Sequence, residues 1–128
     1  VHFFDAHFPY TPAPPWDKKY ATGYTGSLTG SDTDLMPFRD GDKTPTKDEI
    51  DHIKSLYHGE ISELDAIIAP LIAAANNNNT LVVVTSDHGE SFGHDYWFNH
   101  RDGLWDEVTH VPLIMSGPKS KRENMLAH

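Results

Sequence analysis

Thr80-Leu-Val-Val-Val-Thr-Ser-Asp-His-Gly-Glu90 is the stretch from which the rest of the chain can be read. Its first six residues are β-branched or apolar and are bounded by polar residues, which predicts a strand buried on both faces. Such a strand suits the middle of a parallel sheet covered by helices. Upstream, Thr46 is followed three residues later by Glu49, the spacing of a capping box in which each side chain satisfies a free amide at a helix start. Apolar residues then recur at Ile50, Ile53, Tyr57, Ile61, Leu64, Ile68 and Leu71, in steps of three and four. That is the buried stripe of an amphipathic helix. Pro70 is expected to kink or interrupt this helix, and the asparagines at 76–79 to end it. Residues 1–4 predict a short buried strand. Residues 111–115 predict another, with Pro112 outside its ladder. Strand, crossover helix, strand, strand is an α/β pattern, here a mostly parallel sheet flanked by helices.

Between these elements the chain is irregular. Residues 8–16 are held extended by their prolines. Residues 21–43 are rich in Gly, Ser, Thr and Asp without a sustained period and predict a long surface excursion. Asp32, Asp34, Asp40 and Asp42 within it lack the ordered spacing of a calcium loop and read as solvated. Residues 86–105 predict a second loop.

Composition narrows the function classes. The 128 residues carry a net charge of −9, with no basic stripe, which argues against nucleic acid as a partner. No apolar run is long enough to span a membrane, and the compartment is left open. With no cysteine there is neither a disulfide frame nor a thiolate metal site. Hydrophobic residues make up 38%, low for a chain that builds its whole core alone. The chain also begins at Val1 rather than Met. Residues 1–128 are therefore expected to be one part of a single domain whose apolar faces are completed by a further segment of a longer protein.

The polar tract after the central strand carries the chemistry. In parallel α/β sheets ligands bind beyond the carboxyl ends of strands. Two strand ends deliver Asp5, His7, Asp87 and His88 to one rim. A carboxylate beside an imidazole can ligate a divalent metal, and Gly89 allows a sharp turn there. Equally, Asp87 can cap a turn and His88 can be a polar loop residue; spacing alone leaves both open. Glu90 is a candidate for orienting His88 or another ligand. His52 and His58 read as solvated, and the aromatic run 96–98 with Trp105 as a packed loop.

Four blocks carry a family resemblance. Thr85-Ser-Asp-His-Gly-Glu-Ser-Phe-Gly93 resembles the signature after the central strand in sulfatases and their relatives in the alkaline phosphatase superfamily. His2-Phe-Phe-Asp-Ala-His-Phe-Pro-Tyr10 resembles the upstream block of that family. Tyr57-His-Gly-Glu-Ile61 resembles its helix, and Thr109-His-Val-Pro-Leu-Ile-Met115 its next strand. The blocks occur in family order and cover nearly the whole chain.

The resemblance implies an alkaline-phosphatase-like fold and metal-dependent hydrolysis of sulfate esters by the intact enzyme. Asp87 and His88 match part of the metal site. The implied cofactor is a divalent metal, calcium first, with manganese or zinc as alternatives because an imidazole suits those ions better. His7 matches the histidine that contacts the sulfate group or the leaving oxygen. His100 falls near the basic residue that holds the transferred group, and His94 is the other candidate for that role. The family's formylglycine nucleophile belongs to the upstream segment. The implied partner is an anionic ester, a sulfated sugar being one example. Two rivals stay open: a phosphomonoester or phosphonate hydrolase or phosphoethanolamine transferase of the same superfamily, and an inactive domain that only binds metal or an anion.

Overall fold

The structure, a computed structural model, describes residues 1–75, 79–93, 96–101 and 103–117. Helix α1 spans Asp32–Arg39, α2 spans Lys47–Ala75, and the single-turn α3 spans Asp106–Thr109. The strands are β1 (Val82–Thr85), β2 (Ser91–Gly93), β3 (Tyr96–Asn99) and β4 (Leu113–Ser116).

Helix α2 begins as its sequence dictates. The Thr46 amide donates to the Glu49 carboxylate at 2.7 Å, and the Glu49 amide donates back to the Thr46 hydroxyl at 3.3 Å. The helix continues through Pro70 rather than stopping there. Its apolar stripe is only partly covered. Ile53 and Leu56 are buried, whereas Ile61 and Leu71 farther along lie open. No helix among the described residues is long and apolar enough to cross a membrane.

The core is aromatic and sits at the N-terminal half of α2. Tyr10, Leu35, Phe38, Ile53, Leu56 and Phe98 form its buried cluster, with Phe8, Tyr57, Phe92 and Trp97 packed against it. Leu35 and Phe38 come from α1, a helix inside the stretch expected to be a surface excursion. Two apolar residues three apart, with Pro37 between them, carry too little periodicity to announce it. Its entry is tied by Asp34, whose carboxylate accepts the amide and hydroxyl of Thr29 at 2.8 and 2.6 Å.

The sheets depart from expectation. β1 pairs antiparallel with β4, Val82 opposite Ser116 and Thr85 opposite Leu113. β2 pairs antiparallel with β3, with an irregularity between Ser91 and Phe92. The mostly parallel sheet is thus not found among the described residues. A strand exists only with a ladder partner, and residues 1–4, expected as a strand, form none and are exposed. Pro112 does fall just outside β4. Residues 86–105, expected as a loop, contain the β2–β3 hairpin. Within it Phe98 has φ +53°, a strained value for a bulky side chain, held by complete burial against Phe38 and Phe92.

One buried carboxyl makes stability depend on pH. Glu60 on α2 is buried, and its Oε1 accepts the Thr11 amide at 2.7 Å. Burial raises its pKa from 4.5 to about 8, against the pull of the Thr11 amide. The folded protein therefore holds a proton that the unfolded chain releases. The contribution is full below 4.5 and is lost as pH rises through about 8. Chemical denaturation at about pH 5 and about pH 9 should differ by up to roughly 4 kcal/mol from this group. Glu60→Gln is expected to flatten that difference. An equal pH slope in the variant would refute the assignment.

Candidate active site

The site starts where β1 stops. Beyond Thr85 the chain runs through Asp87 and His88 and then docks on α3. The Gly89 amide donates to the Val108 carbonyl at 2.7 Å, and the Glu90 amide to the Glu107 carbonyl at 3.1 Å. A Cβ on Gly89 would lie 1.9 Å from the Glu107 carbonyl oxygen. Glycine is required here for close backbone approach and not for a left-handed turn, since its φ is not positive.

Three imidazoles from three segments meet at this point. The rings of His88 and His100 stack with centroids 3.8 Å apart and planes 21° from parallel. His7 stands edge-on to both, 5.4 Å from His100 and 6.4 Å from His88. All three are tethered through the same ring atom. His7 Nδ1 donates to the Phe8 carbonyl and His88 Nδ1 to the Gly89 carbonyl, each at 2.8 Å. His100 Nδ1 lies 3.3 Å from Glu90 Oε1. A carbonyl oxygen can only accept, so in His7 and His88 the ring proton sits on Nδ1 and Nε2 keeps its lone pair. The tethers leave Nε2 of each ring as the atom available for chemistry.

Behind the imidazoles lies a buried support. Glu90, only 8% exposed, accepts the Tyr10 hydroxyl on Oε2 at 2.6 Å while Oε1 faces His100. Burial first, and then the Glu90 charge, hold the Tyr10 hydroxyl protonated far above the usual tyrosine range. Asn99 accepts the His100 amide at 2.8 Å and Arg39 Nη2 at 3.4 Å. The Arg39 guanidinium also lies 3.7 Å over the Phe8 ring, the residue next to His7. Burial pushes His100 below the usual histidine range. Glu90 opposes that shift, and His88 and His7 add to it. Asp87 is exposed and sits below the usual carboxylate range. Burial, the largest single influence, pushes the other way and is outweighed by the amides of Asp87 and His88 and the nearby His88 and His2 rings acting together.

Asp87 and His88 suit a metal as a pair of ligands. His88 Nε2 lies 3.8 Å from Asp87 Oδ1, and its Nδ1–H is already spent on a carbonyl, the arrangement that orients ligating histidines. Two donors are not a complete set. Among the described residues no group of three or more His, Asp or Glu side chains is arranged to hold a metal ion.

A family model for sulfatases matches residues 1–128. The chain belongs to the sulfatase family. Membership brings the alkaline-phosphatase-like α/β fold and places the chain in a family of hydrolases. No curated protein and no solved structure shows a significant match.

Within this sulfatase-family chain four of the residues singled out in the sequence fall together, whereas Asp5, expected on the same rim, is exposed and acts electrostatically on Glu60. His7, His88 and His100 share one cluster, and Asp87 adjoins it through His88. His94 lies outside the described residues. Sequence reasoning gave Tyr10 and Arg39 no role, and it left Glu90 to orient His88 or another ligand; the structure brings His100 to it. Tyr10 was visible only as half of a Pro-Tyr pair, and Arg39 only as one cation in a polar stretch.

Proposed function

We propose that the intact enzyme hydrolyses sulfate esters with the help of a divalent metal held in part by Asp87 and His88. The observation that carries this reading is the convergence of three Nδ1-tethered imidazoles beside a carboxylate at the end of β1. A sulfate ester resists attack because its oxygens already carry negative charge. A bound cation, calcium or else manganese or zinc, would neutralise that charge as the crowded transition state forms. His7 and His100 face the same space and supply the remaining polar contacts to the anion. When the S–O bond to the leaving group breaks, the departing oxygen takes a proton from Nε2 of one of these two rings in its imidazolium form, which leaves the neutral ring with its proton on Nδ1. The nucleophile, a formylglycine hydrate, and the remaining acidic ligands are assigned to the segment upstream of residue 1. The mostly parallel sheet belongs to the same reading, supported by the family match rather than by the strands described. The substrate is an anionic ester, a sulfated sugar being one example.

A second reading is favoured by one feature. His88 offers nitrogen rather than oxygen, which suits zinc or manganese and the phosphoryl chemistry of the wider superfamily. Purified full-length enzyme should be assayed on an aryl sulfate and an aryl phosphate, with its metal content measured in parallel. We expect preferential sulfate hydrolysis. A preference for phosphate with zinc or manganese bound would replace the sulfatase reading with the second one.

A further inference from the structure

Among the described residues no backbone carbonyl meets His100 Nδ1, unlike His7 and His88. Its tether is Glu90, a side chain that could in principle swing away. Glu90 is prevented from doing so by Tyr10, a completely buried residue 80 positions earlier in the chain. The tyrosine is fixed in turn. Its ring packs on Tyr57, Phe92 and Phe8, and its amide donates to the Gly30 carbonyl at 3.0 Å.

From this connection we propose that Tyr10 and Glu90 are positioning residues that set the tautomer of His100. The argument is one of donors and acceptors. The Tyr10 hydroxyl donates to Oε2. Glu90 as a carboxylate has only acceptors left, so Oε1 requires a hydrogen on His100 Nδ1. Nε2 then becomes the atom at which His100 takes up and gives back a proton, and only with that proton in place does it donate to an anion. The stacked His88 ring stops His100 from tilting out of this plane. Neither Tyr10 nor Glu90 touches the reacting atoms; both act through His100. The proposal rests on the role given to His100 above, but the tautomer itself can be read without any turnover.

The decisive variant is Glu90→Gln. An amide has one acceptor and one donor. If its oxygen keeps the Tyr10 hydroxyl, its NH2 faces Nδ1, and the His100 proton must move to Nε2. Nitrogen NMR of the full-length protein, with the His100 signals assigned by their loss in His100→Gln, is expected to show protonated Nδ1 in the native protein. It should show protonated Nε2 in Glu90→Gln. Tyr10→Phe removes one hydroxyl from an otherwise intact core. It is expected to shift the His100 Nδ1–H resonance and to lower kcat on an aryl sulfate by roughly tenfold to a hundredfold, with KM nearly unchanged. Tyr57→Phe, which deletes a neighbouring hydroxyl of the same aromatic cluster, should change neither. An unaltered tautomer in Glu90→Gln overturns the proposal. If that variant does not fold, an unmoved His100 resonance in Tyr10→Phe overturns it instead. Should the native protein hydrolyse no ester while the tautomer reverses as described, the functional reading fails and the positioning role stands.

Discussion

Asp87→Ala in the intact enzyme is expected to lose its bound divalent metal and at least about a thousandfold of its turnover. Two observations make this change unusually clean. Asp87 is mostly exposed, and its described interactions are with its own amide, the His88 amide at 3.1 Å, the His88 ring at 3.8 Å and the nearby His2 ring. Truncating it therefore leaves the core untouched, and unliganded stability should move by no more than about 0.5 kcal/mol. The consequence falls on the cation. Without Asp87, His88 and the acidic ligands assigned upstream are an incomplete set for a hard divalent ion, which prefers carboxylate oxygen. Metal analysis should show depletion, and added metal should raise the thermal midpoint of the native protein but not that of the variant. Wild-type metal content with full activity in the variant would dismantle the site.

Gly89→Ala should fail in a different way, by misplacing the loop rather than emptying it. The new methyl would meet the Glu107 carbonyl oxygen at 1.9 Å and its carbon at 2.9 Å, both backbone atoms that cannot rotate aside. Relief requires α3 and the loop to separate, which breaks the hydrogen bonds from the Gly89 and Glu90 amides to the Val108 and Glu107 carbonyls. Overpacking of this kind costs about 1–3 kcal/mol, and each lost hydrogen bond about 1 more. We expect a total near 3–5 kcal/mol in thermal or chemical unfolding. His88 and Glu90 flank the displaced residue, so activity should fall by roughly a hundredfold even in the folded fraction. Native stability in Gly89→Ala would mean that the loop does not dock on α3.

These two neighbours show what could be read from the chain alone. Local signals were legible. The capping box at Thr46 and Glu49 marked the start of α2, and the three-four alternation marked its length. The strand ending at Thr85 put Asp87 and His88 at a chemically useful tip. The grouping of His7 with that tip was also foreseen, and the structure brings the two rings within 6.4 Å. Signals that depend on distant pairing were not legible. Strand direction is one, because a run of Val and Leu is equally apolar in a parallel or an antiparallel ladder, and β1 took β4 as its partner. Helix α1 is another, since Leu35 and Phe38 become a pattern only once Phe98 and Tyr10 are beside them. The link from Tyr10 to Glu90 has no local trace at all. Gly89 was read as a turn, yet its requirement comes from a backbone segment eighteen and nineteen positions away.

The pairing of β1 with β4 also bears on handling the molecule. Among the described residues, Val83, Leu113, Ile114 and Met115 stand uncovered on a ribbon of two strands. Each strand of such a ribbon has an outer side with unspent amides and carbonyls, which is a template for a further strand from any passing copy. Greasy faces next to open hydrogen-bonding rims favour clumping over clean solution behaviour. Dilute samples, kept well away from the isoelectric point where the surplus of acidic groups no longer repels, are the conditions under which single molecules would be observed.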